Sequence, residues 1–150
     1  MNNTEPSVKL RRATNADSAW VYQTKKESLG KYVREVWGWD ENWQQKYHSE
    51  HFDPTIIDII ILNDIDIGCV IVTDETDYLM LNSIHILPEY QHRGIGTSLI
   101  RQLLDRAAAE KRPVRLHVLK INPAAALYKR LNFRIIGETD NHCVMEWAPP

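Results

Sequence analysis

The fold is decided by the stretch PEYQHRGIGT at residues 88–97, which joins two apolar segments of different periodicity. Before it, residues 79–87 form an apolar run that Pro88 ends, as expected of a strand. After it, apolar residues recur at helical spacing from Leu99 to Ala108. The predicted order is therefore strand, glycine-containing turn, helix. Because the first N–H groups of a helix lack intrahelical partners and carry the positive end of its dipole, this turn is a candidate anion site.

The chemistry of the turn favours a phosphate or pyrophosphate ligand. Its two glycines let a ligand approach the backbone, while Gln91 and Arg93 add a donor and a positive charge. Two common phosphate motifs are excluded, because no Gly-Lys-Ser/Thr follows and Leu99 stands where the dinucleotide fingerprint has its third glycine. An ordinary strand-to-helix turn is the alternative interpretation.

Length and composition predict one domain over residues 1–150. With 43% hydrophobic and 25% charged residues, the chain has the composition of an ordinary globular protein. With a net charge of −2, the protein lacks the excess of basic residues typical of nucleic-acid-binding proteins, so no nucleic acid partner is expected. No apolar run reaches the length of a membrane span, and the first six residues lack the features of a signal peptide. We therefore expect no membrane partner and a cytoplasmic protein.

The two cysteines, Cys69 and Cys143, each lie within an apolar strand pattern and have no CxxC spacing. Free buried thiols are the expected state, and no metal site is predicted.

Periodicity and turn signals predict a mixed arrangement of strands and helices. The predicted strands cover 8–12, 56–62, 65–73, 79–87 and 114–119, with a final pair from Phe133 to Trp147. The predicted helices cover 14–29, 31–37, a segment from the cap Asp40 to a stop at Asp53-Pro54, 95–111 and 124–131, with breaks at Gly30 and Gly38. The predicted class is α/β (α+β): a mixed, mainly antiparallel seven-stranded sheet flanked by helices, with one parallel pair around the turn.

A second motif, NPAAALYKRLNF at residues 122–133, follows the strand after the turn. With both motifs in this element order, the chain resembles the GNAT N-acetyltransferases over essentially its whole length, as a small single-domain member. The resemblance implies the GNAT acyl-CoA N-acyltransferase fold and direct acetyl transfer from acetyl-CoA to a primary amine of a small molecule or peptide. Asn132 replaces the usual glycine. The substitution is compatible with the motif, because asparagine adopts the same left-handed backbone conformation. A non-catalytic acyl-CoA-binding or sensing domain and a structural module are the alternatives.

The resemblance also assigns the residues of the donor site. It implies that the turn binds the pyrophosphate of acetyl-CoA and that the pantetheine arm pairs with the preceding strand. The expected cofactor-binding residues are Ile84, Ile86, Gln91, His92, Arg93, Gly94, Ile95, Gly96, Thr97, Ser98 and Asn122. Tyr128 is the expected general acid for the leaving thiolate, since a phenol is protonated at neutral pH.

The general base is left open by the sequence. In several family members an acidic or histidine side chain on the strand before the turn is the base, but the corresponding positions here are Met80 and Asn82. The remaining candidates are Glu41, His85, His142 or a water chain. Strand alternation favours a packing role for His85.

The acceptor side is predicted around WGWDENWQ at residues 37–44, which resembles a WGWDE-like segment of a subset of small GNAT proteins. Its three tryptophans and two acids suit a cationic amine, whereas packing between helices is the alternative role. The expected acceptor-binding residues are Trp39, Glu41, Gln44, Asn82 and His142. Exposed strand edges lead us to expect a homodimer.

Overall fold

The computed structural model describes residues 7–150, which contain seven β-strands and four α-helices. The strands are β1 (Lys9–Arg12), β2 (Ile57–Leu62), β3 (Ile65–Asp74), β4 (Leu79–Ile86), β5 (Val114–Leu119), β6 (Arg134–Glu138) and β7 (His142–Trp147). The helices are α1 (Ser18–Trp37), α2 (Glu41–His51), α3 (Ile95–Glu110) and α4 (Ala124–Arg130). Short 3-10 helices cover Asn15–Asp17, Pro54–Ile56 and Pro88–Tyr90.

The seven strands form a mixed sheet in the order β1-β2-β3-β4-β5-β7-β6. β4 and β5 pair in parallel through Leu79–Leu81 and Val114–Leu116. The pairs β1–β2, β2–β3, β5–β7 and β6–β7 are antiparallel. The predicted fold class is confirmed, including the parallel pair that flanks the turn and its helix.

One predicted helix break is wrong. The first helix does not end at Gly30, because α1 runs without interruption from Ser18 to Trp37. A glycine ends a helix when it takes a left-handed conformation, and Gly30 instead lies buried inside the helix. The roughly 1 kcal/mol that glycine costs in a helix interior is small beside the packing of a long helix.

Other helix signals are confirmed by the backbone. Gly38 ends α1 with a φ of 78°, and its N–H donates to Arg34 O at 3.0 Å. Asp40 caps α2, since its carboxylate accepts from the Trp43 N–H at 3.0 Å. Asn132 has a φ of 72°, the left-handed conformation expected after α4.

The chain divides into two compact units, one made of the residues up to Ile71 with Ser83–Gly96, the other of Val72–Asn82 with Thr97–Pro150. In the first unit, a buried cluster joins α1 to β2 and β3 through Val21, Ile57, Ile59 and Cys69. In the second, α3 buries Leu99, Ile100, Leu104 and Ala107, which recur at helical spacing. Cys69 and Cys143 are free and buried, as predicted.

Within residues 7–150, no helix combines the length and apolar character that crossing a membrane requires. The expectation that the first six residues carry no signal peptide concerns a part of the chain outside the described range.

Strand β3 has no room for a side chain at Gly68. A Cβ there would lie 2.3 Å from the backbone oxygen of His85 and 3.1 Å from the Cα of Ile86. The close approach fixes the backbone of β4 just before the turn.

We predict that Gly68→Ala lowers the free energy of unfolding by about 1–3 kcal/mol, because the added methyl group forces two backbones apart. Urea unfolding would measure the loss. The matched control is Gly137→Ala in β6, whose Cβ would meet Val144 at an ordinary 3.8 Å. Equal stability of the two variants would contradict the close approach.

Candidate active site

The turn between β4 and α3 is held in shape by its backbone and by Gln91. Pro88–Tyr90 forms a single 3-10 turn after the strand, and Gln91 Nε2 donates to Ile86 O at 2.9 Å. His92 and Gly94 have positive φ angles of 62° and 81°, which bring the chain into the helix. One amide N–H of Gln91 therefore positions the turn.

Helix α3 begins with the N–H groups of Ile95, Gly96 and Thr97, and the first N–H groups of an α-helix have no acceptor within the helix. Ile95 is 1% exposed and anchors the helix start in the core. Gly96 is open, because a Cβ there would meet Ile86 Cδ1 alone within 4 Å, at 3.6 Å. Thr97 is partly buried and Ser98 is buried. This geometry suits an anion held close to the backbone.

The side chains of His92 and Arg93 are exposed on the turn. The Arg93 guanidinium lies 5.3 Å from the centroid of the Tyr90 ring. A cation–π contact of this kind orients the guanidinium and leaves its charge available to a phosphate.

The parallel ladder of β4 ends before the turn. It pairs Leu79–Leu81, whereas the strand continues to Ile86. The backbone of Ile84 and Ile86 therefore lies beyond this ladder. Ile86 O accepts from Gln91, and a carbonyl oxygen has room for a second donor.

The side chains of β4 lack the properties of a general base. His85 is 8% exposed, and burial lowers the pKa of its imidazole to about 4. Such an imidazole is a weak base toward an ammonium whose pKa is near 10. Asn82 is exposed, and its amide donates to Thr73 Oγ1 at 2.8 Å.

Helix α4 and its cap carry the second motif. Asn122 Oδ1 accepts from the Ala124 N–H at 2.9 Å, which confirms the predicted cap. Tyr128 is 6% exposed, and its ring centroid lies 5.6 Å from that of Phe133. Burial raises the pKa of Tyr128 to about 12, so its phenol is protonated at neutral pH.

Glu41 is bound by four donors in the first unit. Its Oε1 accepts from Lys26 Nζ and Trp39 Nε1, and its Oε2 accepts from Tyr22 OH and Gln45 Nε2. An ionised carboxylate offers about four lone-pair sites, so this one is saturated. The bond from Lys26, followed by those from Tyr22 and Gln45, lowers the pKa of Glu41 to about 2.

This saturation argues against the two roles predicted for Glu41. A carboxylate with a pKa near 2 is a poor base at neutral pH, and its lone pairs are already taken by protein donors. Its role in the structure is to tie α1 to α2. Trp39 shares that role, while Gln44 is partly buried in the first turn of α2.

The partners of Glu41 were missed by the sequence analysis, although a signal for them exists. Ser18, Tyr22 and Lys26 repeat every four residues and therefore share one face of α1. Ser18 Oγ lies 3.0 Å from His48 Nε2, and the ring centroids of Tyr22 and His48 are 5.4 Å apart. The repeat marks the face that contacts α2.

His142 begins β7 and lies opposite Leu119 of β5. It is partly buried, and its backbone N–H donates to Thr139 Oγ1 at 3.0 Å. Its predicted contact with the acceptor stays a prediction.

Residues 56–135, more than half of the chain, match the sequence profile of the acetyltransferase (GNAT) domain. The chain belongs to the GNAT acetyltransferase family. Family membership confirms the prediction of an acetyl-CoA-dependent acetyltransferase, with acetyl-CoA as the acyl donor. No curated protein is significantly similar to the chain in sequence.

Solved GNAT structures share the fold at low sequence identity. The PaiA N-acetyltransferase of Thermoplasma acidophilum, solved in complex with coenzyme A, is 16% identical with a TM-score of 0.74, covering 95% of this chain and 99% of its own. The ribosomal-protein-S18-alanine N-acetyltransferase of Escherichia coli is 19% identical with a TM-score of 0.67, covering 95% and 94%. Naa50 of Arabidopsis thaliana, in complex with the bisubstrate analogue CoA-Ac-MVNAL, is 18% identical with a TM-score of 0.60, covering 95% and 99%.

We predict that Glu41→Gln destabilises the GNAT domain in a pH-dependent way. The folded pKa of Glu41, about 2, lies below its ordinary 4.5. Its stabilising effect is therefore complete above pH 4.5 and is lost as the pH falls toward 2. The difference in free energy of unfolding between wild type and variant should shrink across that window in urea titrations.

The control for this prediction is Glu50→Gln on the same helix. The ion pair of Glu50 with Lys46 is long, at 4.0 Å, and it lies on the surface. It should change stability little. Loss of turnover in Glu41→Gln at unchanged stability would contradict the structural role and support one of the two roles that the sequence predicts.

Proposed function

We propose that the protein transfers an acetyl group from acetyl-CoA directly to a primary amine of a small molecule or peptide. The observation that carries the proposal is the first turn of α3, whose N–H groups and open Gly96 suit the pyrophosphate of the donor. Two solved relatives support the ligand class: one was solved with coenzyme A and one with coenzyme A linked through an acetyl group to a peptide.

In this proposal the donor binds along the residues that follow the ladder of β4. The pyrophosphate accepts from the N–H groups between Gly94 and Ser98, with Arg93 and the hydroxyl of Thr97 as further donors. The pantetheine arm pairs with the backbone of Ile84 and Ile86. The other proposed donor-site residues are Gln91 and His92 in the turn, Ile95 as its anchor, and Asn122 at the cap of α4.

The proposed chemistry needs an acid that protonates the leaving thiolate and a group that takes a proton from the amine. Acetyl-CoA supplies a thioester: the amine nitrogen bonds to its carbonyl carbon, the carbon–sulfur bond breaks, and the sulfur leaves as a thiolate. Tyr128 gives its phenolic proton to that sulfur and is reprotonated by the proton that the nitrogen loses as the amide forms. A backbone N–H near Ile86 donates to the carbonyl oxygen. Direct transfer fits the cysteine chemistry, because burial raises the pKa of Cys69 to about 12 and leaves a neutral thiol.

The attacking amine must first lose a proton, and we propose that water takes it. This choice rests on the low pKa values of Glu41 and His85, about 2 and 4, which make both poor bases. His142 stays the third candidate base from the sequence. The acceptor-side roles of Trp39, Gln44, Asn82 and His142 are proposals of the same kind. A single domain over residues 1–150, a homodimer, a cytoplasmic location and the absence of nucleic acid and membrane partners stay predictions.

Gly96→Ala tests the donor site without disturbing the fold. The added Cβ meets Ile86 Cδ1 at 3.6 Å, an ordinary contact, and alanine favours a helix over glycine by about 1 kcal/mol. Stability should stay equal or rise, while the methyl group keeps the pyrophosphate from the backbone. We expect the KM for acetyl-CoA to rise at least about tenfold. An unchanged KM would remove the turn as the pyrophosphate site.

Tyr128→Phe tests the general acid. We expect kcat to fall roughly 100-fold, within the range for loss of an acid, at an unchanged Kd for coenzyme A by calorimetry. The matched control is Tyr78→Phe, which keeps the ring that lies 4.4 Å from the Arg115 guanidinium. Equal turnover in wild type and Tyr128→Phe would exclude the phenol as the acid.

A further inference from the structure

The inward face of α1 carries polar groups that have no hydrogen-bond or ion-pair partner among residues 7–150. Val21 and Thr24 are both buried on this face, and Thr24 Oγ1 has no hydrogen-bond partner within that range. The next residue, Lys25, is partly buried. No carboxylate in the described part of the chain pairs with its ammonium.

In the described part of the chain, the groups around the Lys25 ammonium come from three other elements, and none is a carboxylate. The ring of Tyr47 on α2 lies 5.9 Å from Nζ. Burial, with the charge of Lys25 as a further cause, lowers the pKa of His48 on α2 and of His85 on β4. Cys69 on β3 also feels this charge, yet burial keeps it a thiol.

The neighbouring lysine shows what is missing at Lys25. Lys26 pairs with Glu41, whose four acceptor sites are all filled. Buried charges in proteins are normally paired and hydrogen-bonded. Lys25 thus lacks an anionic partner in the described part of the chain, and its partial exposure leaves it accessible to a ligand.

We propose that Lys25 binds a carboxylate of the acceptor. The acceptor is then a free amino acid or another small amine that also carries a carboxylate. This inference rests on the proposed function, because it requires an amine acceptor. The same cation would also attract a phosphate of acetyl-CoA, so the test separates the two sources.

The experiment compares amino acids with their carboxamides as acceptors, at saturating acetyl-CoA, for wild type, Lys25→Met, Lys25→Arg and Lys31→Met. The last variant removes an exposed lysine of the same helix and is the control. We expect Lys25→Met to lower kcat/KM for the carboxylate acceptors roughly 10- to 100-fold, the value of a charge-assisted hydrogen bond. The carboxamides should be unaffected, and Lys25→Arg should restore most of the preference.

Three results would overturn the inference. Wild type could acetylate carboxamides as well as amino acids, Lys25→Met could lower both rates equally, or Lys25→Met could weaken coenzyme A binding in calorimetry, which would place a donor phosphate at Lys25. If no amine is acetylated, the proposed function fails. The inference is then decided by calorimetry with N-acetyl amino acids and their carboxamides, where carboxylate binding lost in Lys25→Met supports it and equal binding refutes it.

Discussion

The first N–H groups of an α-helix have no acceptor within the helix, and in α3 these are the N–H groups of Ile95, Gly96 and Thr97. Pro88 ends the strand, Gln91 fixes the strand end through Ile86 O, and the positive φ of Gly94 directs the chain into the helix. Ile95 then anchors the helix start, while Gly96 leaves its surface open. Each residue has a local physical reason, and together they give the geometry on which the proposed anion site depends.

Two neighbouring lysines on α1 differ in the partners that the tertiary structure gives to their charges. Lys26 is paired with Glu41 in a saturated group of donors, so this ion pair joins two helices. Lys25 faces histidines, a tyrosine and a thiol, and none of them balances its charge. Burial lowers the pKa of Lys25, and an anionic ligand would favour its charged form. The proposed carboxylate contact follows from this difference between the two lysines.

The titratable groups differ in what burial does to them. Burial raises the pKa of Tyr128 to about 12, which keeps a proton available for donation. Burial lowers the pKa of His85 to about 4, which removes its value as a base. The same desolvation favours the neutral form in both cases: it keeps the phenol protonated and leaves the imidazole a weak base. In the proposed reaction the protein supplies the acid, and solvent takes the proton of the amine.

The sequence by itself determined the element order, the parallel pair, the turn with its glycines and the caps at Asp40 and Asn122, because these depend on local periodicity and on backbone hydrogen bonds between near neighbours. Local signals failed at Gly30, where the packing of a long helix outweighs a glycine break. Only the tertiary structure decided which partners Glu41 and Lys25 contact. Adjacent charges on one helix acquire different partners according to which distant residues meet them, and no local pattern in the chain records that.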